Sequence, residues 1–130
     1  MTIAEALSGI DTRKRNTVPE EIKIEWLSEL DGRVYNDIIT THEGGNVTEL
    51  PKYDTNTLKT ENLLIPAPYE RVYLLWLEAQ IDYANGEINR YANSYSMFNS
   101  MYMEFAKYYH RTHMPKSANG KYSGTKGFTI

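Results

Sequence analysis

His110 and His113 stand three residues apart, a spacing that puts two imidazoles on one face of a helix. Two histidines can begin a zinc site, but a third ligand must lie nearby. Glu104 is upstream on the same run, while His42 and Glu43 would have to come from another element. The plainer reading is charge: His110, Arg111 and His113 suit the negative end of a helix dipole. Glu25 and Glu29 lie one helical turn apart. A catalytic carboxylate pair needs burial to split its pKa values, and these two fall off the apolar stripe beside them. They read as a solvated face. Gly120-Lys121 and Gly124-Thr125-Lys126 imitate pieces of a phosphate loop, without the following helix that would present its N-terminus. No Gly-x-Ser-x-Gly occurs, and with no Cys there is neither thiol nucleophile nor disulfide. The reading is non-enzymatic, with no catalytic, cofactor or metal residue assigned.

Tyrosine is the unusual residue: 11 of 130, beside 2 Trp and 3 Phe. Tyr83, Tyr91, Tyr95, Tyr102, Tyr108 and Tyr109 are interleaved with Asn and Ser along one stretch. Aromatic residues at helix spacing are most simply core. The admixture of small polar residues is also that of a surface left wet until a partner covers it. Residues 83–112 therefore read as part core and part subunit contact, with Tyr91, Tyr95, Tyr102 and Tyr109 the interface candidates.

The elements that must position these residues are helical. Thr2 and Glu5 form a capping box ahead of a short helix to about Ser8, with Gly9 as its stop. Thr17 can cap a second helix with Pro19 in its first turn. Ile22, Trp26, Leu30, Val34 and Ile38 then follow at four-residue steps to about Thr41. Gly32 inside it offers room for a neighbouring backbone. Residues 43–65, rich in turn formers, read as a long irregular loop or as a short β-hairpin built from Val47–Tyr53 and Leu63–Ile65. From Tyr69 to Thr112 the apolar residues keep helical spacing. One helix of that length would span about 66 Å, against a radius of gyration of about 14 Å for a compact domain of this size. Two helices, 68–84 and 87–112, broken at Asn85-Gly86, are the preferred reading. A continuous protruding helix is the alternative.

The fold class is mainly α: a small helical bundle over residues 1–115, followed by an extended arm, 116–130. A chain of 130 residues is one domain. Its hydrophobic fraction of 41% excludes a wholly disordered protein. The net charge of −3 argues against a nucleic-acid grip over the whole surface. No apolar run is long enough for a membrane span, and the N-terminus lacks a signal-peptide pattern, so the default compartment is cytoplasmic. Charge is uneven. Residues 17–61 are acidic, whereas the arm carries Lys116, Lys121 and Lys126 and no acid, a pattern that suits head-to-tail self-association. Ordering the arm costs roughly 15–30 kcal/mol of backbone entropy. Burying Tyr122, Phe128 and Ile130 returns only about 1.5–3 kcal/mol each. If the arm is ordered, it must also pair its backbone with another surface.

Three stretches resemble a known family: Ile24-Glu-Trp-Leu-Ser-Glu-Leu-Asp-Gly-Arg33, Leu64-Ile-Pro-Ala-Pro-Tyr69, and Trp76-Leu-Glu-Ala-Gln-Ile-Asp-Tyr83 with Met97-Phe-Asn99 and Tyr109-His-Arg-Thr-His-Met-Pro115. As a set they are similar to head–tail connector, or adaptor, proteins of long-tailed phages and prophages of low-GC Gram-positive hosts. The resemblance covers most of residues 2–115. It implies a homo-oligomeric, dodecameric ring beneath the portal protein. Such a ring extends the DNA channel and offers a platform to a stopper or tail-completion protein. It implies a virion component, in the host cytoplasm during assembly, with DNA passing through without sequence-specific binding and no membrane association. Lys121, Tyr122, Lys126, Phe128 and Ile130 are the candidate residues for docking to the portal or to a neighbouring subunit.

Three other readings compete. A stopper would occupy the adjacent storey of the same neck. A small regulatory binding module, inhibitor or antitoxin-like, would grip one partner with its Tyr-rich helix and be missing from particles. A metal-assisted enzyme would use His110 and His113 and carry bound metal.

Overall fold

The computed structural model describes residues 1–116. It contains four α-helices: α1 (Ile3–Arg13), α2 (Glu20–Val34), α3 (Arg71–Ala84) and α4 (Ile88–Thr112). The docking candidates Lys121, Tyr122, Lys126, Phe128 and Ile130 lie outside the described residues.

The capping box forms as the sequence predicts. Glu5 N–H donates to Thr2 Oγ1 (3.1 Å) and Thr2 N–H to Glu5 Oε1 (2.8 Å). Gly9 does not stop α1, which runs on to Arg13. A Cβ at Gly9 would come within 3.0 Å of Leu74 Cδ2, so this glycine lets α1 approach α3 closely. Pro19, rather than Thr17, occupies the cap position of α2. The four-residue stripe also needs correcting. Each step of four advances the helix by about 40° beyond a full turn, so Ile22 and Ile38 cannot share a straight helix face. The buried face is Ile24, Leu27, Leu30, Asp31 and Val34, while Ile22 and Trp26 are half-buried. One π-helical turn, Tyr35–Ile39, carries the segment onward and keeps Ile38 and Ile39 inside. At Gly32 an added Cβ would meet only Leu50, at 3.7 Å, so no backbone uses the space there.

The long apolar run is two helices. Gly86 adopts a left-handed φ of +72°, and the chain turns back through Gly86 N–H to Tyr83 O (3.1 Å) and Glu87 N–H to Asp82 O (3.0 Å). The continuous helix is therefore excluded. α3 and α4 form the largest helix–helix contact. α3 is the central element, with Val72, Tyr73, Leu75, Trp76, Leu77, Ala79 and Ile81 all buried.

Residues 43–65 are the irregular loop; the hairpin does not form. Among the described residues the only β contacts are two isolated antiparallel bridges, Thr2–Asn62 and His42–Pro115. Side chains replace the missing ladder. Asp31 is fully buried and accepts from Tyr53 OH (2.6 Å), Tyr73 OH (2.5 Å) and Leu64 N–H (3.0 Å). Tyr73 OH in turn accepts from Ile65 N–H at 2.7 Å. Tyr53 N–H donates to Ser28 Oγ (2.9 Å). With Tyr53, Leu63 and Ile65 buried, the loop is pinned to the helices at its second half.

Candidate interaction surface

With no catalytic constellation legible in the sequence, the candidate surface is made of the tyrosine stripe, the histidines and residues 114–116. The stripe becomes an aromatic spine along α4. Ring centroids step from Tyr83 to Tyr91 (5.2 Å), to Tyr95 (5.6 Å), to Phe98 (5.5 Å) and to Tyr102 (5.6 Å). Further down, Phe105 meets Tyr109 at 5.9 Å, and His113 stacks on Tyr109 at 3.7 Å. The four interface candidates divide along this spine. Tyr102 and Tyr109 are only 8% exposed and belong to the chain's own core. The Arg33 guanidinium of α2 lies against the Tyr102 ring, and His42 and His113 lie against Tyr109. Tyr91 and Tyr95 are half-buried near the α3–α4 tip, where Tyr83 and Ile88 are each 64% exposed.

Tyr102 carries an unsatisfied polar atom. Its hydroxyl is buried with no hydrogen-bond partner among the described residues. Desolvation raises its pKa. The Arg33 guanidinium lies 5.7 Å from the centroids of both the Tyr102 and Trp76 rings, a cation–π arrangement that fixes this long side chain across the helix seam.

All three histidines gather at the C-terminal end of α4. His42 Nε2 and His110 Nδ1 are 3.3 Å apart, and the His42 ring stands edge-on to Tyr109. His42 Nδ1 lies 2.8 Å from Ile38 O, and its Nε2 faces His110. His113 is turned away onto Tyr109. No group of three or more His, Asp or Glu side chains suited to one metal ion occurs among the described residues. Glu104 and Glu43 are exposed, as are Glu25 and Glu29.

Residues 114–116 are also held at this end. Glu43 N–H donates to Met114 O (2.8 Å) and Lys116 N–H to Thr41 O (2.9 Å), a two-bond clip around the His42–Pro115 bridge. Gly44 and Gly45 follow directly. Gly44 has φ +86°, and a Cβ on Gly45 would fall 2.8 Å from Ile39 Cγ2 and 3.1 Å from Tyr109 OH. Only glycines let the loop pass this close to α4.

Sequence reasoning missed the buried polar groups. Asp31 was readable: it stands with Leu27, Leu30 and Val34 at helical spacing, so an acid was being carried into the core. Lys23, 5% exposed, is paired with Asp11 at 2.6 Å. Asp82, 1% exposed, is met by Lys14 Nζ at 2.7 Å and by Ser94 Oγ at 2.9 Å. The first joins α1 to α2, and the second ties Lys14, the cap of α1, to α3 and α4. Lys23 and Asp82 thus act as polar struts between helices.

No family model matches this chain, and no curated protein or solved structure is significantly similar to it. No helix among the described residues is long and apolar enough to cross a membrane. The fold and surface define a small helical domain with an aromatic tip at one end and the clip between 41–43 and 114–116 at the other.

Proposed function

We propose that the chain is a structural subunit of a phage neck, a head–tail connector that assembles as a ring beneath the portal and acts without catalysis. The observation that carries the reading is the clip between 41–43 and 114–116, which ties the last described residues to the start of the long loop. The sequence beyond Lys116 holds Lys121, Tyr122, Lys126, Phe128 and Ile130 and no acid. A basic, aromatic terminal sequence next to that clip suits docking onto the portal or a neighbouring subunit. The sequence resemblance supports the same reading. The aromatic tip, with Tyr83 and Ile88 exposed and Tyr91 and Tyr95 behind them, supplies a second surface for the ring. Two different faces are what a heterologous contact requires, and such a contact closes by rotation. Many modest contacts around a ring add through avidity.

Deletion of residues 116–130 in the phage or induced prophage tests the reading. The expected result is heads that package DNA and fail to acquire tails. Normal plaque formation by the deletion mutant would remove the arm from the mechanism.

A further inference from the structure

The outer face of α4 is unlike a solvated helix face. Between Arg90 and Glu104 it holds no charged residue, although Asn93, Met97, Ser100 and Met103 are exposed, Met97 by 48% and Met103 by 49%. Charges resume on both sides in a self-complementary order: Glu87 and Arg90 before the gap, Glu104 and Lys107 after it. Arg90, Asn93, Met97, Ser100, Glu104 and Lys107 recur at steps of three and four, so they lie along one stripe of the helix. All six are exposed. Glu104 and Lys107 have no ion partner among the described residues, and Arg90 has only a loose 3.4 Å contact with Glu87.

We infer that this stripe is a docking surface for a second copy of the chain, packed antiparallel about Met97. An antiparallel mate centred there brings Arg90 opposite Glu104 of the second copy, a pair that two-fold symmetry doubles. Met97 meets itself across the axis. A groove of about 350 Å³, lined by Leu75, Met97, Ser100 and Met101 together with the charged Arg13, Arg71 and Glu104, receives the second copy's thioether. A parallel mate would set like charges against each other, because the stripe is self-complementary in the reversed direction alone. Small Asn and Ser residues between the charges allow the helices to approach closely. This contact is isologous, so it differs in kind from the ring contact proposed above and describes the free chain before assembly.

The chain has no Cys, so disulfide trapping is clean. The test uses the full-length chain at about 100 µM, a concentration at which a contact of this modest size is populated. Sedimentation of the wild-type protein should give twice the chain mass. Arg90→Glu and Glu104→Arg should each weaken the dimer on the order of tenfold, and the double variant should recover it, since the swapped charges again face each other. Met97→Cys should form a disulfide-linked dimer under mild oxidation without denaturant. All these positions are exposed, so circular dichroism should show the wild-type helical signal for every variant. A monomer at this concentration overturns the inference. So does a dimer indifferent to the charge swaps, or larger multimers in which Met97→Cys fails to cross-link; those would assign the α4 face to another occupant. Because the readout is the free protein in solution, failure here leaves the neck assignment to be judged on particles.

Discussion

The Tyr73 hydroxyl donates to Asp31 Oδ1 at 2.5 Å, joining the first turn of α3 to the last turn of α2 across 42 residues of sequence. The same hydroxyl accepts from Ile65 N–H, and the same carboxylate holds Tyr53 and Leu64. One buried acid thus fastens a loop that has no strand ladder. Asp31→Ala would leave two buried hydroxyls and one buried N–H without their acceptor. A loss of about 3–5 kcal/mol in urea unfolding is expected. Hydrogen exchange should accelerate first at Leu64. A loss below about 1 kcal/mol would mean that water or local movement replaces the acid.

The pH dependence follows from the same group. Burial pushes the Asp31 carboxyl above its usual range, against the lowering effect of the hydrogen bonds from Tyr53, Tyr73 and Leu64 N–H. A carboxyl raised in the folded state binds more protons there than in the unfolded chain. Its contribution to stability is greatest below the unfolded pKa and falls as pH rises through the folded one. Asp11 runs the opposite way, since its hydrogen bond from Lys23 lowers its pKa and that contribution is lost in acid. Comparing wild type with Asp31→Asn isolates the first effect. The wild-type advantage should shrink from about pH 4 upward and then level off. A difference constant with pH would contradict the raised pKa.

Two glycines predict opposite outcomes. Gly32 sits inside α2 with an added Cβ in ordinary contact at most, so Gly32→Ala should stabilise by up to about 1 kcal/mol. Gly45→Ala drives a methyl into Ile39 and Tyr109 and should destabilise, loosening the 41–43 clip. Thermal unfolding of both variants reads the sign directly. A gain at Gly45 would show that the loop is not held against α4.

Tyr102 gives a sharper contrast. Its hydroxyl is buried without a partner, so Tyr102→Phe should be neutral or stabilising by about 1 kcal/mol. Tyr73→Phe removes a hydroxyl with two partners and should destabilise by a similar amount or more. Equal losses from both variants would place an unseen partner on Tyr102.

Local signals in the chain were readable where one residue type has one physical job. Thr2 and Glu5 announced a cap, and Asn85-Gly86 announced a reversal because only a left-handed residue turns the chain there. Gly9 misled, since a glycine that admits Leu74 and a glycine that ends a helix look alike until the neighbour is known. The four-residue stripe of α2 misled because it ignored the drift of the helical period. The tyrosines were legible as a helix face, yet spacing could not separate Tyr102 and Tyr109, buried in the core, from Tyr91 and Tyr95 near the tip. The loop's anchors were illegible as a set because they are tertiary: Ser28, Asp31, Tyr53, Leu64 and Tyr73 meet only when the helices are packed. The interaction surface was the least legible part, because the exposed face of α4 is marked by missing charge rather than by a motif.

The proposed role in the phage neck is tested most directly by quantitative mass spectrometry of purified, DNA-filled particles from the phage or induced prophage that encodes the chain. The account predicts the protein in those particles at a fixed ratio to the portal protein, in heads as well as in complete virions. Its absence from particles, with the protein abundant in the infected cell, would contradict the account.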